Sequence, residues 1–227
     1  MHFKQLFKVV EMMGYEWAKD MIHVPFGMVS LEGGKLSTRE GNMVFLEDVL
    51  DTAKAKALQI INEKNPDLDN KDDVAEMVGT GAVIFGTLVG SRIKDISFSY
   101  DKVLNFEGET GPYVQYTFAR CCSLLSKIDE SGKIDYSNLT SADSYELIKL
   151  IDKYPEIIAD SAAKYEPSIV TRYIYSLACA FNKFYLEQNI SNSNEGDKAA
   201  RLAVVRIVKD IIKNGMSLLG IKCPTKM

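Results

Sequence analysis

The chain has 227 residues, 46% of them apolar and 26% charged, with a formal net charge of -4. That composition supplies one or two buried cores and excludes a disordered chain, and the acidic balance excludes a protein coated in basic residues for indiscriminate nucleic-acid binding. Recognition of one folded RNA by a few placed cations and rings stays open.

No apolar run reaches the ~20 residues needed to cross a bilayer, and the opening MHFKQLFKVVEMMGYEW lacks the apolar core and cleavage site of a secretion signal. A cytoplasmic protein without a membrane partner is expected. Cys121, Cys122, Cys179 and Cys223 show no CxxC spacing. They read as small core hydrophobes in a reducing compartment, not as zinc ligands or disulfides.

In chain order, Phe3, Leu6, Phe7 and Val10 recur at helical spacing, so an uncapped amphipathic helix is expected over the first dozen residues, with Gly14 as its stop. MIHVPFGMVSL then suits a largely buried strand despite Pro25, and it runs into the loop EGGKLSTREGN. A helix follows from Leu46 to about Lys64, carrying Val49, Leu50, Ala53, Ala57, Leu58 and Ile61, and NPDLDN breaks it. A second covers about Asp72 to Ser91. DISFSY is a short strand.

Beyond it five helices are expected, at about 112–128, 140–152, 153–165, 168–188 and 197–219, with loops short enough for a bundle. Val170, Tyr173, Ile174, Leu177, Phe181 and Phe184 form one apolar stripe; Leu202, Val205, Val208, Ile212 and Leu219 form another, which Gly220 and Pro224 end. The first third does not close on itself, because parallel strands must pair and be covered on both faces. Met1 is therefore read as an internal position of a longer α/β enzyme; the alternative is a small α+β domain using an unrecognised strand.

The loop after the first strand has the ingredients of a phosphate lid. Gly33, Gly34 and Gly41 let the backbone bend, Lys35 and Arg39 supply positive charge, and Ser37 and Thr38 supply hydroxyls. Such a loop can neutralise charge developing on a leaving polyphosphate. Alone, the pattern fits a solvated turn at least as well.

KLSTREGN, however, resembles the KMSKS-type signature of class I aminoacyl-tRNA synthetases, in the KMSTR form of arginyl-tRNA synthetases. HVPFGMVSLEGGK, MVFLEDVL, GAVIF, SRIKD, LNFEGETGPYVQYTFAR, AFNKFY and LLGIKCPTKM are similar to the same family, in order, along essentially the whole chain. The resemblance implies a mainly α chain: the C-terminal edge of a Rossmann-type α/β catalytic domain over residues 1–105, with its KMSKS-like loop at 33–42, followed by a helical anticodon-binding bundle over 106–227. It implies attachment of arginine to its tRNA with ATP and magnesium, by a protein expected to be a monomer. Lys35, Ser37, Thr38 and Arg39 would face the ATP phosphates, with Lys35 and Arg39 acting catalytically.

Leu36 replaces the usual Met, and Glu40 stands where many members have a Lys, an unfavourable charge beside phosphate unless it points away. The family's HIGH-type motif is missing, so the polypeptide alone is expected to catalyse nothing.

In TGPYVQYTFARCCSLLSKI, Val114, Phe118, Cys121, Leu125 and Ile128 fall within an arc of about 80°, the core face, while Tyr113, Tyr116 and Arg120 share another arc of about 60°. Two phenol rings beside a guanidinium can hold an unpaired base and a phosphate. On geometry alone, half-buried tyrosines and a surface arginine are the favoured reading; the resemblance to an anticodon-binding bundle reverses that. In AFNKFY, Phe181 and Phe184 belong to the apolar stripe, whereas Tyr185 sits on its shoulder and is read as a second stacking ring, with Asn182, which points elsewhere, as a hydrogen-bond partner. The resemblance marks the terminal Met227 as a neighbour of the anticodon. A helical adaptor without RNA, or a cysteinyl enzyme with a similar bundle, are the competing readings.

Overall fold

A computed structural model describes residues 1–31, 44–128, 134–188, 190 and 195–227. Helix α1 (His2–Met12) forms without a side-chain cap, and Gly14, at φ +88°, turns the chain out of it. A short 3-10 turn at Glu16–Asp20 leads into an extended stretch ending in strand β1 (Val29–Leu31). That strand pairs in parallel with β2 (Ile96–Phe98), Val29 opposite Ile96 and Leu31 opposite Phe98.

The expectation of a largely buried strand over MIHVPFGMVSL is corrected. Only its last three residues are strand, and Ile22, Phe26 and Met28 are exposed, Phe26 at 84%. A parallel strand is buried only when it is flanked and its faces are covered, and among the described residues β1 has a single three-residue neighbour.

Helices α2 (Leu46–Lys64) and α3 (Lys71–Leu88) pack along each other. Small residues make the contact close. Ala53 and Ala57 are buried, and a Cβ on Gly79 would lie 2.6 Å from the backbone nitrogen of Lys54. Ala57, Ile61, Val74, Ala75, Val78, Ala82 and Leu104 form the shared core. A single helical turn, α4 (Tyr100–Val103), follows β2 where the sequence suggested only a strand.

The bundle comprises α5 (Gly111–Lys127), α6 (Ala142–Asp152), α7 (Tyr154–Lys164), α8 (Ser168–Gln188) and α9 (Glu195–Leu218). Local chemistry sets its ends. Thr110 caps α5 by accepting from the Tyr113 amide at 3.3 Å, and Ser141 caps α6 through the Ser144 amide at 3.1 Å. Gly220, at φ +77°, closes α9 with a bond from the Ile221 amide to the Met216 carbonyl at 2.8 Å. Both predicted stripes face inward: Ile174, Leu177, Phe181 and Phe184 on α8, and Val205, Val208 and Ile212 on α9, are fully buried. Cys121 joins this core, and burial pushes its thiol pKa up; the Cys223 thiol is pushed up to about 12 by burial.

Polar contacts rivet the bundle to the first half. Arg92 donates to the Pro25 carbonyl at 2.5 Å and to the Tyr165 carbonyl at 2.8 Å, while Glu166 accepts from Ser91 at 3.2 Å and Ser168 at 2.9 Å. Burial works to raise the Glu166 carboxyl, but the bonds from Ser168, the Arg92 amide and Ser91 outweigh it and hold the carboxyl below its ordinary pKa.

Candidate nucleic-acid interface

Helices α5 and α8 bring polar and aromatic side chains together where they pack. The Arg120 guanidinium carbon lies 5.0 Å from the centroid of the Tyr116 ring and 5.0 Å from that of Tyr185. Both distances lie within cation–π range. Tyr116 is 45% exposed, Arg120 and Tyr185 half-buried. Tyr185 is itself braced by Phe181, their rings 6.4 Å apart and near parallel.

Asn182 fixes the arginine. Its Oδ1 accepts from Arg120 Nη1 at 2.5 Å, and its Nδ2 donates to Tyr113 Oη and Thr117 Oγ1, each at 2.9 Å. Thr117 in turn donates to the Tyr113 carbonyl at 3.0 Å. Both amide hydrogens of Asn182 are thereby committed, so its geometry suits holding Arg120 rather than reading a base.

Tyr113 departs from the face the periodicity gave it. It packs against the bundle core and against Tyr175 at 5.5 Å, and burial raises its phenol pKa. The 60° arc drawn from α5 alone omits α8, whose Asn182 and Tyr175 cover Tyr113. It supports the platform from below.

These groups line a cleft of about 1060 Å³. Tyr116, Arg120 and Lys127 with other residues of α5, Tyr185 of α8, the α2–α3 turn from Asn65 to Asp69 and the tail Thr225–Met227 line it. Met227, 162 positions from Asn65, is fixed by a bond from Asn65 Nδ2 to its carbonyl at 3.2 Å. The fold therefore gathers Tyr116, Arg120, Tyr185 and Met227 around one space, with Asn182 and Tyr113 behind it. Lys35, Ser37, Thr38 and Arg39, with Glu40, lie outside the described residues.

Sequence reasoning missed Thr117, Lys127 and the α2–α3 turn. A helical arc widened to about 100° would have included Thr117. The turn carries no local signal, since its place in the cleft depends on how α2 and α3 dock on the tail.

The family described as tRNA synthetases class I (R), catalytic domain, matches residues 1–100, and the DALR anticodon binding domain family matches 114–227. The chain is 55% identical to an arginine–tRNA ligase of Halothermothrix orenii, over all of this chain and 40% of that protein. Its fold is similar to arginyl-tRNA synthetase of Thermus thermophilus, with a TM-score of 0.87 and 32% identity over 92% of this chain and 36% of that one. It is also similar to the Plasmodium falciparum enzyme, with a TM-score of 0.78 and 27% identity over 100% of this chain and 39% of that one. The chain thus spans about 40% of the length of the curated relatives it matches.

Proposed function

We infer that this chain, which belongs to the arginyl-tRNA synthetase family and carries its DALR anticodon binding domain, is the C-terminal portion of an arginine–tRNA ligase that reads the anticodon loop in the Tyr116–Arg120–Tyr185 cleft. The observation that carries this reading is the shared 5.0 Å approach of Arg120 to two accessible rings. An unpaired base can stack on a phenol face, and every base has such a face to offer. Asn182 holds the guanidinium in place beforehand, so little side-chain entropy is lost when RNA arrives. The N–H donors of Arg120 beyond the one that Asn182 takes suit a phosphate or a base edge.

The domains divide at residues 1–105 and 106–227 in this reading. Lys35 and Arg39 act on the charge that develops as pyrophosphate leaves ATP, with Ser37 and Thr38 holding phosphate oxygens. Magnesium accompanies ATP and screens its charge. The exposed apolar residues of α1, the 3-10 turn and the extended stretch, Phe3, Leu6, Trp17 and Phe26 among them, fit a surface on which the rest of a catalytic domain packs. The working enzyme is a cytoplasmic monomer whose partners are arginine, ATP and the tRNA for arginine.

The test is a titration of the 227-residue chain with that tRNA at two salt concentrations, paired with thermal unfolding. Tyr116→Ala and Tyr185→Ala should each weaken binding by about 1–3 kcal/mol, and Arg120→Ala should also flatten the salt dependence. Tyrosine variants that bind normally, or fail only because they unfold, overturn the reading. In a full-length enzyme, Lys35→Ala and Arg39→Ala should slow adenylate formation by about 2–4 kcal/mol each, whereas the isolated chain should show no arginine-dependent pyrophosphate exchange.

A further inference from the structure

Two side-chain amides hold the tail that closes the cleft. Gln115 on α5 is fully buried, and its Nε2 donates to the Met77 carbonyl on α3 at 2.9 Å and to the Lys222 carbonyl at 2.7 Å. Asn65, in the α2–α3 turn, donates to the Met227 carbonyl at 3.2 Å. The tail between these clasps supplies Thr225, Lys226 and Met227 to the cleft, and Met227 also packs on the α2–α3 core. Gly81 leaves the room that the Gln115 amide fills: a Cβ there would lie 2.7 Å from its Nε2. Gln115 Oε1 is buried without a hydrogen-bond partner among the described residues.

Gln115 is buried away from the cleft and Asn65 is one of its lining residues, and each fixes one end of the segment that supplies Thr225, Lys226 and Met227 to it. A buried amide with one unpaired atom gives up part of its own hydrogen bonding. Its two bonds run between α3 and the tail, which is a placing role more than a packing one.

We propose that Gln115 and Asn65 are positioning residues for anticodon reading, which act by holding the tail so that Thr225, Lys226 and Met227 line the same cleft as Tyr116, Arg120 and Tyr185. This rests on the RNA reading above. It places one determinant of specificity, Asn65, in the stretch matched to the catalytic domain rather than to the anticodon binding domain. RNA selectivity then depends on how the α2–α3 pair sits against the bundle.

The experiment measures binding of the 227-residue chain to an RNA hairpin carrying the arginine anticodon loop, and to the same hairpin with its loop bases changed. The variants are Asn65→Ala, Asn65→Gln, Gln115→Met, the double variant Asn65→Ala with Gln115→Met, and Tyr185→Ala. Asn65→Ala and Gln115→Met should each weaken cognate binding roughly three- to tenfold, the worth of one or two hydrogen bonds, and should shrink the preference for the cognate loop. Met fills the space of Gln and removes the unpaired acceptor, but it leaves the Met77 and Lys222 carbonyls without their donor, so Gln115→Met should melt somewhat below wild type while still folding. The double variant should lose less than the product of the two single losses, because both act through one tail. Asn65→Gln, which keeps a donor, should recover part of the selectivity.

If wild type and Tyr185→Ala behave as proposed while Asn65→Ala keeps full affinity and selectivity, the positioning role is wrong and the RNA reading stands. If wild type shows no preference for the cognate loop, or Tyr185→Ala binds as well as wild type, the RNA reading fails and this inference falls with it. Should Gln115→Met unfold, Asn65→Ala, a turn substitution, decides the matter.

Discussion

The bundle and the N-terminal stretch are both rich in apolar residues, and they fold under different rules. On α8 and α9 those residues close on one another, with Ile174, Leu177, Phe181, Phe184, Val205 and Ile212 fully buried. Before β1, Ala18 is the only buried residue among the described positions, while Phe3, Leu6, Val9, Trp17 and Phe26 face solvent. A helix satisfies its backbone hydrogen bonds internally, so a bundle needs only neighbouring helices of its own chain to bury a stripe. A parallel strand needs flanking strands and two covering layers. Apolar content therefore predicts burial only where the partners it requires are at hand.

The sharpest way to break this contrast is to truncate a ring in the bundle. Phe181→Ala should cost about 3–5 kcal/mol, since it removes buried apolar surface and leaves a cavity, and urea unfolding measures it. A loss under 1 kcal/mol would mean the bundle interior adapts like a loose surface. Gly79→Ala comes next, at about 1–3 kcal/mol: its methyl would press on the α2 backbone at Lys54 and Ala53, which cannot yield as a flexible side chain would.

The junction between the two regions should respond to acid. Glu166 has a lowered pKa when folded, so its contribution is fully present above the ordinary glutamate value of about 4.3. It is lost as pH falls through the lower folded value. Urea midpoints measured across that acid window should fall more steeply for wild type than for Glu166→Gln, which has no carboxyl to protonate. Parallel curves would remove Glu166 from the rivet. The smallest effect belongs to the N-terminal stretch. Phe26→Ala should leave unfolding of the chain within about 0.5 kcal/mol of wild type, as at other exposed positions.

Much of the bundle was legible because its signals are local. The α2 boundaries agree with the sequence reading, and α5 to α9 agree within about two residues. Periodicity and Gly220 as a stop act within a turn or two of the chain. The strand over MIHVPFGMVSL was misjudged because its burial depends on flanking strands and covering layers that the described residues do not supply. In the cleft, Tyr116, Arg120 and Tyr185 could be read from helical faces and resemblance, but Tyr113 could not be placed. Whether it faces water or the core is settled by Asn182 and Tyr175, some 60 residues away on another helix.

Arg92 clasps main-chain oxygens at Pro25 and Tyr165. Every amino acid offers that same oxygen, so the clasp is indifferent to which side chains stand at its two targets and sensitive only to the path of the chain there. Drift at positions 25 and 165 should be forgiven so long as the trace holds, which at Tyr165 favours residues at ease with its left-handed φ of 52°. Position 92 has no such latitude. A lysine keeps the charge but not the planar fork that reaches two carbonyls in fixed directions, so of the three residues in this clasp only the one at 92 acts through its side chain.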